Sequence, residues 1–235
     1  MKKRALFLLP LTAALLLAGC SDSAPDAAAG TSAAASSDQL DTQTLADIAK
    51  QIAGDNEQAV IMDNDALKAQ LPAAEQVRKA IKVTPETCSN FATSDLGAEL
   101  EKMNVVSVGL PGATALEGLQ VQVASFSDSV DAEANFAQAD DILKDCSEFS
   151  FSLQGQETTM KMKGLEATTS AEKTSAIQST TVSKETTVTT VSVNALEGST
   201  AIVVTVLGGK DPKKDLAEAN QKAENVLEMV AKASA

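Results

Sequence analysis

The chain of 235 residues has no histidine, no tryptophan and no tyrosine, and aromatic residues make up only 3% of it. Without histidine, Ser-His-Asp and Cys-His catalysis are excluded, together with the commonest transition-metal ligand. The shortage of aromatic rings removes the stacking platforms that usually hold sugars and single-stranded nucleic acids. Phe91, Phe126, Phe136, Phe149 and Phe151 are few enough to belong to the core. Positive charge is scarce as well: 19 Lys and Arg stand against 32 Asp and Glu, a formal net charge of −13. Phosphate backbones repel such a surface, so no nucleic-acid partner is expected. No apolar run reaches the roughly 20 residues that a permanent membrane-spanning helix needs.

What is there begins at the first residues. Lys2, Lys3 and Arg4 precede an apolar stretch, residues 5–17, interrupted only by Pro10 and Thr12, and the stretch runs into Leu17-Ala18-Gly19-Cys20. A positive start, a short apolar run and small residues before a cleavage point form the pattern of a processed export signal. Here they resemble the signal peptide and lipobox of bacterial lipoprotein precursors. That resemblance implies diacylglycerylation of the Cys20 thiol and cleavage between Gly19 and Cys20, so that residues 1–19 leave and Cys20 becomes the first residue. Lys2, Lys3 and Arg4 leave with no acid among them, which takes the formal charge from −13 to −16. Each buried methylene of the lipid contributes about 0.8 kcal/mol, and two acyl chains anchor stably where one binds only marginally. The expected location is the outer face of the cell membrane, with the membrane itself as a partner through the lipid, typically palmitate-bearing.

Residues 20–39 comprise the lipidated cysteine and a stretch from Ser21 to Gln39 rich in Ala, Ser, Asp and Gly, with Pro25 and Gly30 and no apolar periodicity. They read as a flexible tether with a root-mean-square reach of roughly 25 Å. With Cys20 assigned to lipid, two cysteines remain, Cys88 and Cys146. In an exported, oxidising location a disulfide between them is the default, worth on the order of 4 kcal/mol for a loop of that length.

Residues 40–235 fall within the length of one domain. Leu45, Ile48, Ala49 and Ile52 share a helical face, and Gly54 marks its end. Residues 59–62 read as a strand. Asp63-Asn64-Asp65 then offers Asn64 or Asp65 as the cap of a short helix up to Pro72, and a second helix follows over 73–81. A calcium loop is the sharper reading of that acidic trio, but the glycine and terminal glutamate of an EF-hand are missing. Residues 83–88 are expected to turn the chain and present Cys88, with weak helical continuation over 89–102. A strand over 103–110 ends at Pro111-Gly112. Leu119, Val121 and Val123 alternate with glutamines in the next strand, and Phe126 breaks the parity, marking a bulge or a strand end. Ser127-Asp128-Ser129 caps a helix through Lys144 with Ala132, Phe136, Ala139 and Leu143 on one side. Phe149, Phe151 and Leu153, then Met160 and Met162, continue the strands. The Thr-rich stretch 168–193 predicts long, partly exposed strands joined near 183–185. Residues 201–207 are apolar on both faces, the mark of a central strand. Asp211-Pro212 starts a last helix with its stripe at Leu216, Ala219, Ala223, Val226, Leu227 and Val230. The order predicts an α+β domain with a twisted, mainly antiparallel sheet and helices packed on one face.

That order, with residues 83–88 (Val-Thr-Pro-Glu-Thr-Cys), Cys146 after an amphipathic helix and an apolar strand before a terminal helix, resembles the extracellular sensor domain of the PknH-type kinases and related actinobacterial lipoproteins. The resemblance covers roughly residues 55–233. It implies a ligand held between sheet and helices. This chain departs from the family in having two cysteines where four are typical, and in lacking Trp and Tyr, which bears on a shared ligand more than on a shared fold. The lipid-carrier lipoproteins of the LprG and LppX kind are the second resemblance; for them, Met62, Met103, Met160, Met162 and Met229 would line an adaptable cavity. The first expectation is a non-catalytic binding or sensing module with no cofactor and no metal, whose partner is a small molecule, a lipid or an envelope protein. Carboxylate pairs are abundant, as in Asp140-Asp141, but such neighbours on a helix point in different directions and read as a solvated helix face rather than as a glycosidase centre.

Overall fold

The computed structural model describes residues 39–89, 96–153, 155–184 and 186–234. Most of its helices and strands follow from patterns visible in the chain. Helix α1 (Thr42–Ala53) starts where the Asp41 carboxylate accepts the Thr44 N–H at 2.7 Å, and Gly54 closes it. Strand β1 (Val60–Met62) leads into α2 (Asn64–Ala80), β2 (Lys82–Thr84) and a 3₁₀ turn, Glu86–Cys88, entered through a cis Thr84–Pro85 bond. After α3 (Leu96–Glu101) come β3 (Met103–Pro111), β4 (Gly118–Phe126) and α4 (Ser129–Asp145). Five strands and a helix complete the chain: β5 (Glu148–Leu153), β6 (Gln156–Leu165), β7 (Lys173–Ser183), β8 (Thr186–Glu197), β9 (Thr200–Leu207) and α5 (Pro212–Ala233).

The strands form one open antiparallel sheet in the order β1-β3-β4-β9-β8-β7-β6-β5-β2. The α+β class, the antiparallel sheet and the single domain are those the sequence implies. Residues 201–207 lie in β9, between β4 and β8, as expected of a run apolar on both sides. Phe126 is the last residue of β4 and stays in register with Met103, so it marks a strand end and not a bulge.

Alternation along the strands defines two faces. On the front face Val106, Val108, Val121, Val123, Val193, Ile202 and Val204 are buried in the main core with the apolar stripes of α1 and α5. The chain enters the fold on this side: Leu40 N–H donates to Ser125 Oγ at 2.9 Å, and Asn104 Nδ2 donates to the Leu40 carbonyl at 2.9 Å. The helical cover extends to the back face as well, beyond the single face that the sequence implied. There Leu100 of α3, Ala132 and Phe136 of α4, and Leu67 and Leu71 of α2 pack on Met103, Val105, Ala124, Phe126, Leu196 and Ala201. Because β4 and β9 are apolar on both sides at these positions, one layer of helices would leave half of them in water.

Two expectations are corrected in α2. Its cap is Asp63, one residue earlier than expected, whose carboxylate accepts the Ala66 N–H at 2.9 Å. Asn64 is engaged elsewhere: its amide donates to the Met103 carbonyl at 3.3 Å and accepts the Val105 N–H at 2.6 Å, continuing the ladder of β3 beyond the end of β1. The acidic trio thus serves a helix start and a strand edge. Pro72 does not divide the region into two helices but lies exposed within one. A proline frees one carbonyl, which water can take on an exposed side, while Leu67 and Leu71 hold the first half of α2 to the back cluster. A further edge strand, β2, replaces part of the expected turn and pairs with β5.

Candidate functional site

Directly opposed residues of antiparallel strands share a face, so the register lists what the back face presents. One row, Val105, Ala124, Ala201 and Leu196, is apolar and lies in the cluster under α3 and the start of α4. The next row is Ser107, Gln122, Val203, Asn194 and Ser175. The third is Gly109, Gln120, Thr205, Ser192, Ile177 and Gly164. Beyond these, Ile177, Met160, Met162, Phe149 and the two cysteines build a second small cluster. The back face is therefore apolar at two ends and polar across its middle.

Neighbouring side chains satisfy much of that polar strip. Gln120 Nε2 donates to Ser107 Oγ at 3.1 Å, the Ser192 and Thr205 hydroxyls meet at 2.9 Å, and Asn194 Nδ2 donates to Ser175 Oγ at 3.3 Å. The strip carries no ionisable side chain in its two rows.

Helix α4 bridges it. The helix starts from an Asp128 cap, 2.8 Å from the Asp131 N–H, with Ala132 and Phe136 in one cluster. It ends with Ile142 and Leu143 on the other, where a Cβ on Gly164 would meet Leu143 at 3.5 Å. At about 1.5 Å per residue its 17 residues reach about 25 Å. The middle of α4 thus passes over the polar rows. There Asn135 Nδ2 and Gln138 Oε1 are buried without a hydrogen-bond partner, as is Asn194 Oδ1 on the sheet. Asn194 is 5% exposed. An ion pair, Lys173 to Glu133 at 3.2 Å, joins α4 to the start of β7 at the margin. Helix α2, which must also cross from the β1 edge to the β2 edge, carries Arg78 near its end with Nε and Nη1 buried and unpartnered.

Among the residues singled out from the sequence, Gly19 and Cys20 lie outside the described residues, as does Phe91. Cys88 and Cys146 are joined by a disulfide, with their Cα atoms 5.6 Å apart, and tie the 3₁₀ turn to the end of α4. The methionines do not share one chamber. Met103 belongs to the first back cluster, Met160 and Met162 to the second, and Met229 packs on the front core, while Met62 accepts from Gln70 at 3.3 Å. Asp140 and Asp141 are exposed on α4. Among the described residues no group of three His, Cys, Asp or Glu side chains could hold a metal ion, and no helix is long and apolar enough to cross a membrane. Sequence reasoning passed over Asn135, Gln138 and Asn194. The available signal was an asparagine inside the otherwise apolar end of β8, and two amides spaced three apart beside the apolar stripe of α4.

These features define a class: a disulfide-bonded α+β domain with an open antiparallel sheet, one face sealed and the other bridged by helices over a polar centre. Within that class, the chain shares its fold with the extracellular domain of PknH from Mycobacterium tuberculosis, with a TM-score of 0.52 and 13% identity over 83% of this chain and 98% of that one. A protein from Mycobacterium smegmatis aligns with a TM-score of 0.44 and 14% identity over 82% of this chain and 98% of that one. No protein-family model matches the chain, and no curated protein matches it in sequence.

Proposed function

We propose that the chain is a lipid-anchored, extracytoplasmic binding module of the sensor type, with no catalytic chemistry of its own. The observation that carries this reading is the fold shared with the extracellular domain of a kinase across nearly all of that domain. The lipobox at Cys20 supports the anchor, and a disulfide suits an oxidising compartment. The arrangement of the domain fits a tethered reader: the chain enters on the front face at Leu40, and the unpaired amide atoms of Asn135, Gln138 and Asn194 lie on the opposite side of the sheet. A binding role needs such groups held in place by rigid elements, and here they sit on a long helix and a central strand.

The test is processing in the native host. The wild-type chain is expected to incorporate labelled palmitate, to fractionate with membranes and to show an intact mass that begins at a modified Cys20. Cys20→Ser is expected to lose the label completely and to retain residues 1–19. Wild-type protein with an unmodified amino terminus would refute the anchored reading.

A further inference from the structure

We infer that the gap between α4 and the back face takes a small, uncharged, hydroxyl-bearing ligand, held by Asn135 and Gln138 of α4 and Asn194 of β8. The inference rests on the binding-module reading and names the ligand chemistry for it. Three carboxamides, two of them one helical turn apart on α4 and one on the strand that α4 crosses, each keep a buried atom without a partner. A buried polar atom left unpaired destabilises the fold, so three in one gap call for a partner that the chain does not supply.

The chemistry of the gap selects that partner. The two register rows beneath α4 offer hydroxyls, amides and a few apolar groups, and no charge; the unpartnered guanidinium of Arg78 lies at the end of α2, four residues before β2 at the sheet edge, and belongs to neither row. An ionised carboxylate accepts but does not donate, an ammonium donates but does not accept, and an acyl chain does neither; a phosphate would bring a charge that no side chain of the two rows balances. A hydroxyl does both, and so can satisfy a carboxamide through its oxygen or its nitrogen. The nearest ion pair, Lys173 with Glu133, is already closed and half exposed, at the margin of the rows. Gln178 and Asn220 also leave one oxygen each unpaired, but on the front side, where Gln178 stands opposite Lys163 in the register, so that environment is not free of charge.

The purified full-length chain, titrated calorimetrically with glycerol, myo-inositol and glucose, and separately with sodium phosphate and palmitate, tests this. At least one of the three neutral probes is expected to bind saturably, with Gln138→Leu and Asn194→Leu each weakening it about tenfold or more and thermal unfolding showing both variants folded. Should Asn194→Leu fail to fold, Gln138→Leu, at a half-buried helix position, carries the test alone. Saturable binding of phosphate or palmitate with the same sensitivity to Gln138→Leu would overturn the ligand class and leave the module a binding protein. Silence from all five probes, with Gln138→Leu raising the unfolding temperature, would mean that interior water alone fills the gap, and would remove the back face as a site altogether.

Discussion

The two faces of the sheet are built from the same strands and do different things. On the front, Val106, Val108, Val121, Val123, Val193, Ile202 and Val204 make an apolar layer closed by α1 and α5, with the hydroxyls of Ser125 and Thr200 paired at its edge. On the back, apolar positions gather at two ends, and hydroxyls and amides occupy the middle. Val204 and Thr205 are adjacent in β9, nearly equal in size, and point to opposite faces. The difference teaches where the stability resides. A continuous apolar layer holds the fold, and that frees the other side to carry polar groups whose burial would otherwise be a liability.

The largest test of this contrast concerns the back face's thinner core. The cluster of Phe149, Met160, Met162 and Ile177 includes both cysteines, and their bond closes a separation of 58 residues. If the disulfide compensates for a small core, the Cys88→Ala/Cys146→Ala double variant should lose about 2–5 kcal/mol of unfolding free energy in urea. Local opening of α4 and β5 by hydrogen exchange should accompany the loss, with α1 and α5 still protected. Equal loss of protection on both faces would show that the faces are not separable.

A sharper comparison exchanges one atom at each of the two neighbours. Val204→Thr places a hydroxyl in the sealed front core and should cost about 1–3 kcal/mol. Thr205→Val removes a hydroxyl from the back, where it meets Ser192 at 2.9 Å, and should cost about 0.5–1.5 kcal/mol, the usual net worth of one hydrogen bond. Urea unfolding of both variants decides it. A Thr205→Val penalty equal to or larger than that of Val204→Thr would mean that the back face is as tightly specified as the front.

How much of this was legible depends on what each signal measures. The stripes of α1 and α5 and the doubly apolar β9 could be read because burial imposes a period on the residues themselves. Phe126 marked a break in β4 for the same reason, though the break in parity alone left a bulge and a strand end open. The continuous α2 was not legible, since Pro72 normally interrupts a helix and only the packing of Leu67 and Leu71 outweighs it. Nor was Asn64, whose role depends on where β1 stops beside β3. Helices on the back face were foreshadowed by apolar residues of both parities in β9, a pattern that states burial on two sides without naming what covers them. The site lay beyond reach for a different reason. Asn135, Gln138 and Asn194 are ordinary polar residues on paper, and only the path of α4 over the sheet makes them unpaired neighbours of a polar strip.

The smallest expected effect probes a charge on the front side. Asp215, in the first turn of α5, is 8% exposed, and its carboxylate lies where a Cβ on Gly209 would stand. Burial raises its pKa above the ordinary carboxylate value of 3.8, and the negative charges of Asp211 and Glu218 add to the shift. The folded state therefore holds this proton more tightly than the unfolded chain does. The sign follows: the carboxyl's contribution is most favourable below the unfolded value and is lost as pH rises through the raised folded value, so the ionised group is a standing penalty at neutral pH. Asp215→Asn removes that penalty while keeping the shape. It should unfold at a higher temperature than the wild type at pH 7, by a margin smaller than either change above, and the margin should shrink as pH falls toward 3.8. A margin that stays constant over that range would assign the effect to packing against Gly209 and not to charge, and the front face would then owe nothing to the ionisation of its one buried acid among the described residues.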